Sequence, residues 1–124
     1  MNANVIIASQ AVIWLIAAGL LLVAPKLMIS FFGSSSTPFT ITLARIFGAE
    51  LTGLALVSWI TRDPSDSSTL RGLALSYLAC NSLGFIVCLL GRLSGTLQTA
   101  AWLFIALYLF YAVLFGYLRF VVLV

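Results

Sequence analysis

Two opposite charges, Arg45 and Glu50, stand inside a stretch of the 124-residue chain that otherwise reads as apolar helix. Placing Asp, Lys or Arg at the centre of a membrane helix costs about 2.5 to 3.5 kcal/mol on the insertion scale, so an acid at that depth is a functional candidate by default. Glu50 lies ten residues beyond Thr40, where the apolar stretch begins, or about 15 Å along a helix. That is close to mid-membrane. Arg45 lies half as deep and can snorkel its guanidinium to the interface near Lys26. Five residues put the two about 140° apart around a helix, whereas a good intrahelical pair uses i+3 or i+4. Glu50 is therefore expected to find its partner on another helix. Asn81 and Tyr108 lie centrally in later apolar stretches, at similar depth if the helices pack antiparallel. The spacing predicts a buried cluster of Glu50, Asn81 and Tyr108.

Two readings of this acid stand side by side. In the first, Glu50 is a protonated donor that locks helices together. Ala44 and Gly48, and again Ala49 and Gly53, have the small-xxx-small spacing that lets helices approach closely, and polar side chains then hold the contact. In the second, Glu50 binds a proton or cation in a small carrier or channel. The first is the leading reading.

Other chemistry is harder to assemble. The chain has no histidine, so imidazole ligation of haem or zinc and a His general base are excluded. Cys80 and Cys88 share one apolar stretch at a helical separation of about 12 Å, too far for a disulfide. Both read as packing residues. Asp63 and Asp66 fall in a turn, where turn and N-cap duty explains them. Intramembrane proteolysis would need a paired-aspartate, Ser-His or metal site, and the spans supply one acid. No catalytic residue, metal site or cofactor is expected. Six scattered Lys and Arg residues give a net charge of +3 without a run that could track a phosphate backbone, so nucleic acid is not an expected partner.

The elements that position these residues follow from composition. Hydrophobic residues make up 63% of the chain and charged ones 7%, against about 25% charged in a soluble domain. A bilayer crossing needs about 20 apolar residues. Four crossings and short loops account for the chain, predicting an all-α, integral membrane, antiparallel four-helix bundle formed as a single domain over residues 1–124. The expected spans are 5–24, 40–60, 70–90 and 99–118. The first reads as a retained helix rather than a signal peptide, because no Lys or Arg precedes it and its apolar run is too long. After Pro25 and Lys26, the residues Leu27, Met28, Phe31 and Phe32 suggest a short amphipathic turn in the headgroup region. Gly33 to Ser36 break it, and Thr37-Pro38 is a helix start. A polar turn spans 61–68, and Gly91 to Gly95 close the third span. Gln10, Ser58, Ser76 and Ser82 are expected to bond back to their own helices.

Four spans put both termini on one side with Arg62, Arg71 and Arg119, against Lys26 and Arg92, with Arg45 as a third on that side. The near-even split leans towards cytoplasmic termini under the positive-inside rule.

The segment from Pro25 through Phe31-Phe32-Gly33, followed by Ala44-Arg45-Ile46-Phe47-Gly48-Ala49 and the run to Trp59, resembles a group of uncharacterised small bacterial four-helix membrane proteins, DoxX-like in style. Their signature looks like a proline and "FG" after the first helix, then an "R-x-x-G-A" helix ending in an aromatic. The resemblance implies an accessory role in a larger membrane complex, since DoxX relatives include subunits associated with membrane redox enzymes. Small multidrug exporters also use four helices and one membrane glutamate, but theirs lies in the first helix, and the first helix here has none.

The expectation is thus a non-enzymatic multi-pass protein of the cytoplasmic membrane, structural or accessory, surrounded by lipid and assembled as a homo-oligomer or in a larger complex. The nine Phe and four Tyr leave lipid or hydrophobic-pigment binding as a further alternative.

Overall fold

The computed structural model describes residues 2–33, 35–64 and 66–123. Helices α1 (Ala3–Val23), α2 (Pro25–Phe32), α3 (Pro38–Ile60), α4 (Ser67–Leu93) and α5 (Trp102–Tyr117) follow one another, and no strand occurs among the described residues. A 3-10 turn at Thr99–Ala101 leads into α5, and a π-helical turn at Leu118–Val122 continues it. The chain is all-α. Four helices, α1, α3, α4 and the continuous stretch Thr99–Val122, are long and apolar enough to cross a membrane.

Local chemistry sets most of the helix ends. Thr37 caps α3 by accepting from the Thr40 amide at 3.1 Å, while Thr40 Oγ1 accepts from the Thr37 amide at 2.8 Å. This reciprocal capping box satisfies two amides that would otherwise lack partners, and Pro38 supplies the first helical position. Asp66 caps α4, accepting from the Thr69 amide at 2.7 Å and from its hydroxyl. Gly33 ends α2 in the left-handed region at φ 90°, which a residue with a Cβ adopts at a cost. The expected break at Gly33 to Ser36 and the polar turn at 61–68 include Ser34 and Ser65, which lie outside the described residues.

The expected closing segment of the third span, Gly91 to Gly95, contains the observed helix end. Helix α4 runs on to Leu93, and the stop comes at Gly95, whose φ is 82° and whose amide donates to the Arg92 carbonyl at 3.2 Å. Gly91 sits inside the helix with the Leu97 side chain over it, and a Cβ there would meet Leu97 Cδ1 at 2.9 Å. Helix α2 buries one side against the rest of the chain. Pro25, Met28 and Ile29 are buried, whereas Leu27 and Phe31 are exposed. The sequence pattern permits either stripe on one short helix, and packing of α2 on α1 and α3 selects between them.

The chain divides into two compact units, Met1–Asp63 and Pro64–Val124. In the first, α1 and α3 pack antiparallel. Gly48 of α3 lies against Ala18, Leu21 and Leu22, and the later part of α3 (Ala55, Leu56, Trp59) lines a groove with the earlier part of α1 (Ala11, Val12, Leu15). In the second, α4 and α5 pack antiparallel. Gly84 lies against Tyr108, and Tyr77 against Phe115 with ring centroids 5.2 Å apart.

Candidate functional site

Helix α3 carries Arg45 and Glu50. Its observed start at Pro38 puts Glu50 at the thirteenth of 23 residues, about 18 Å along the axis. The acid is therefore at the midpoint of the helix, and its side chain is exposed on the surface of the chain. Phe47 and Leu54, one turn to either side, are exposed with it. Arg45 is also exposed, and its Nε donates to the Leu22 carbonyl at 3.4 Å. This bond has a local cause. Leu22 is among the last four residues of α1, whose carbonyls lack an amide donor within the helix, and a cation there also favours the negative end of the helix dipole. The expected snorkelling of Arg45 towards the end of α1 thus has a definite acceptor.

The small residues of α3 separate into two faces. Gly48 is buried at the crossing with α1, where an added Cβ would stand 2.9 Å from Leu21 Cβ and 3.2 Å from the Ala18 carbonyl oxygen. Ala44, one turn earlier on that face, is half-buried. Ala49 and Gly53 are exposed, and nothing lies within 4 Å of a Cβ added at Gly53. Of the two small-xxx-small pairs, only the first serves the crossing of α1 and α3.

Asn81 and Tyr108 belong to the second unit and Glu50 to the first, so the residues of the expected cluster are divided between the units. Asn81 is 2% exposed, and its Nδ2 donates to the Tyr77 carbonyl one turn back at 2.8 Å. Tyr108 is half-buried with its ring against the bare Cα of Gly84. Sequence reasoning missed Gly84. Its signal was the i, i+4, i+8 series Cys80, Gly84, Cys88, a face of small side chains that accepts a large ring.

No family model, curated protein or solved structure matches this chain. What the residues do must follow from their geometry.

The remaining charges lie at helix ends. Arg62 sits over the Trp59 ring at 4.2 Å and donates to the Trp59 carbonyl, while Arg92 lies 5.9 Å from the Trp102 ring and 3.4 Å from Thr99 Oγ1. Paired basic and aromatic residues at helix ends are suited to a membrane–water boundary. Hydrogen bonds from the Thr69 hydroxyl and amide hold the Asp66 carboxyl below its ordinary value of 3.8. Ser76 donates to Gly72 at 2.9 Å, as expected, while Gln10 and Ser58 are fully buried. Among the described residues, no three His, Cys, Asp or Glu side chains group as metal ligands do. The groove between α1 and α3 has a volume of about 220 Å³ and a lining of Ala11, Val12, Leu15, Ala55, Leu56 and Trp59, without a titratable group.

Proposed function

We propose that this chain is a non-enzymatic multi-pass protein of the bacterial cytoplasmic membrane, an antiparallel four-helix bundle whose role is structural or accessory within a larger assembly. The observation that carries this reading is the exposed Glu50 at the midpoint of α3. A carboxyl facing lipid at that depth is costly. A protein surface that covers it and offers a hydrogen bond removes the cost, and small residues beside it let a second helix come close. The resemblance to DoxX-like proteins is compatible with such a role. A carrier would place its acid in a polar cavity, and the groove between α1 and α3 is apolar and excludes Glu50. Both termini face the cytoplasm in this reading.

The test is isolation of the full chain from native membranes in mild detergent. The expected result is migration well above the 13.4 kDa monomer, with no proton or cation flux after reconstitution into vesicles. Flux that is present in the wild type and lost in Glu50→Gln would overturn this reading in favour of the carrier.

A further inference from the structure

One face of α3 has the register of a helix-pairing seam. Thr42, Ile46, Ala49, Gly53, Leu56 and Ile60 alternate spacings of four and three residues, the repeat that keeps two helices in contact along their length. All six are exposed. The opposite face, at Gly48, Leu51, Ala55 and Ser58, is buried. The seam therefore points away from the face that packs on α1, and its centre is made of the two small residues that the α1 crossing does not use.

The flanks of this seam decide what covers it. Arg45 and Glu50, about 140° apart, stand on opposite sides of it. When two copies of α3 run side by side in the same direction about a two-fold axis along the membrane normal, the left flank of one helix faces the right flank of the other. Arg45 of each copy then meets Glu50 of the other, in the offset used by charged flanking positions of parallel coiled coils. Antiparallel pairing would set like flank against like flank, so Arg45 of one copy could not face Glu50 of the other. The guanidinium is a five-donor fork, and only its Nε serves Leu22, so its two amino groups suit a carboxylate.

From this self-complementary charge we infer that α3 forms a parallel homodimer seam, with a second copy of the chain over Thr42 to Ile60 and two reciprocal Arg45–Glu50 ion pairs. The inference rests on the membrane reading above and names the covering surface that it requires. Closely approaching backbones at Ala49 and Gly53 supply the packing, because lipid gives no hydrophobic drive between helices. The ion pairs supply direction and partner choice, since each carboxylate or guanidinium left unpaired in the membrane is costly.

The test is disulfide cross-linking in native membrane vesicles, using full-length chains in which Cys80 and Cys88 are replaced by Ala and a single cysteine is introduced. A parallel two-fold seam sets equal positions opposite one another. Ile46→Cys and Gly53→Cys should cross-link to a covalent dimer at least about tenfold more than Leu54→Cys, which lies off the seam, the ratio expected of about 1.4 kcal/mol. Glu50→Arg should lower the Ile46→Cys yield about tenfold, since like charges then face each other. Adding Arg45→Glu should restore it. Equal yields on and off the seam, a cross-linked band containing a different protein, or failure of the double reversal to restore the yield would each overturn the homodimer. Alkaline carbonate extraction separates the two levels. A chain released from the membrane refutes the membrane reading, whereas a chain that stays in the membrane without a seam cross-link refutes the dimer alone.

Discussion

Tyr108 rests its ring on the Cα of Gly84. A Cβ at Gly84 would stand 2.5 Å from Tyr108 Cε1 and 2.7 Å from Cδ1 and Cζ. Van der Waals contact between carbons begins at about 3.5 Å, so the ring cannot keep its place beside any larger residue. Helices α4 and α5 come together here because one side contributes no side chain and the other contributes a flat one. Two turns away, Tyr77 and Phe115 complete the same antiparallel interface.

Gly84→Ala should accordingly destabilise the second unit by about 1 to 3 kcal/mol, the usual cost of overpacking, even though alanine favours helix by about 0.5 to 1 kcal/mol. Thermal unfolding in detergent would measure it. Gly72→Ala lies on the same helix, with nothing within 4 Å of the new Cβ, and should stabilise by the helix preference alone.

Gly48→Ala tests the other antiparallel pair. Its Cβ meets backbone as well as side chain, with the Ala18 carbonyl oxygen 3.2 Å away. Helices α1 and α3 must separate by a few tenths of an ångström, and a loss of about 1 to 3 kcal/mol is expected. Gly53→Ala meets nothing within 4 Å in the chain and should, like Gly72→Ala, stabilise the isolated chain by the helix preference of about 0.5 to 1 kcal/mol.

The α3 start is a separate prediction. Thr37→Ala removes the hydroxyl that receives the Thr40 amide and should cost about 1 kcal/mol. Faster hydrogen exchange at the Thr40 amide than in the wild type would report the loss directly.

Asp66 gives a pH dependence with a definite sign. Its carboxylate accepts from the Thr69 hydroxyl and amide, so its pKa in the folded chain lies below the ordinary 3.8. The stabilisation of the α4 start is complete above that ordinary value and is lost as pH falls through the lower folded value. Protection of the Thr69 amide should therefore hold at neutral pH and fall only in strong acid. In Asp66→Asn the amide side chain does not titrate, and the profile should be flat.

Arg45→Met keeps an apolar stem but removes the donor to the Leu22 carbonyl. The expected cost is about 0.5 to 1.5 kcal/mol for an intramolecular hydrogen bond. A labelled Leu22 carbonyl should shift in the infrared towards the position of an unbonded group.

Short-range signals were legible in the sequence because their physics is complete within a few residues. The apolar spans follow from side-chain transfer free energy summed along the chain. Thr37-Pro38, Gly33 and Asp66 mark helix ends because the capping partners lie within four positions. The position of Glu50 near the middle of α3 needed only the apolar run and the rise per residue. Within the closing segment Gly91 to Gly95, α4 ends at Leu93 and Gly95 takes the left-handed conformation at φ 82°.

Tertiary structure alone decided which faces meet. Periodicity groups Ala44 with Gly48 and Ala49 with Gly53, but it cannot say which pair receives α1, because both satisfy the same spacing. The contact of Gly48 with Ala18 and Leu21 settles that and leaves Ala49, Gly53 and Glu50 outward. The acceptor of Arg45, the face of α2 and the seat of Tyr108 on Gly84 likewise depend on residues far apart in the chain. In each case one-dimensional spacing specifies what a helix can present, and close packing against a particular neighbour selects what it does present.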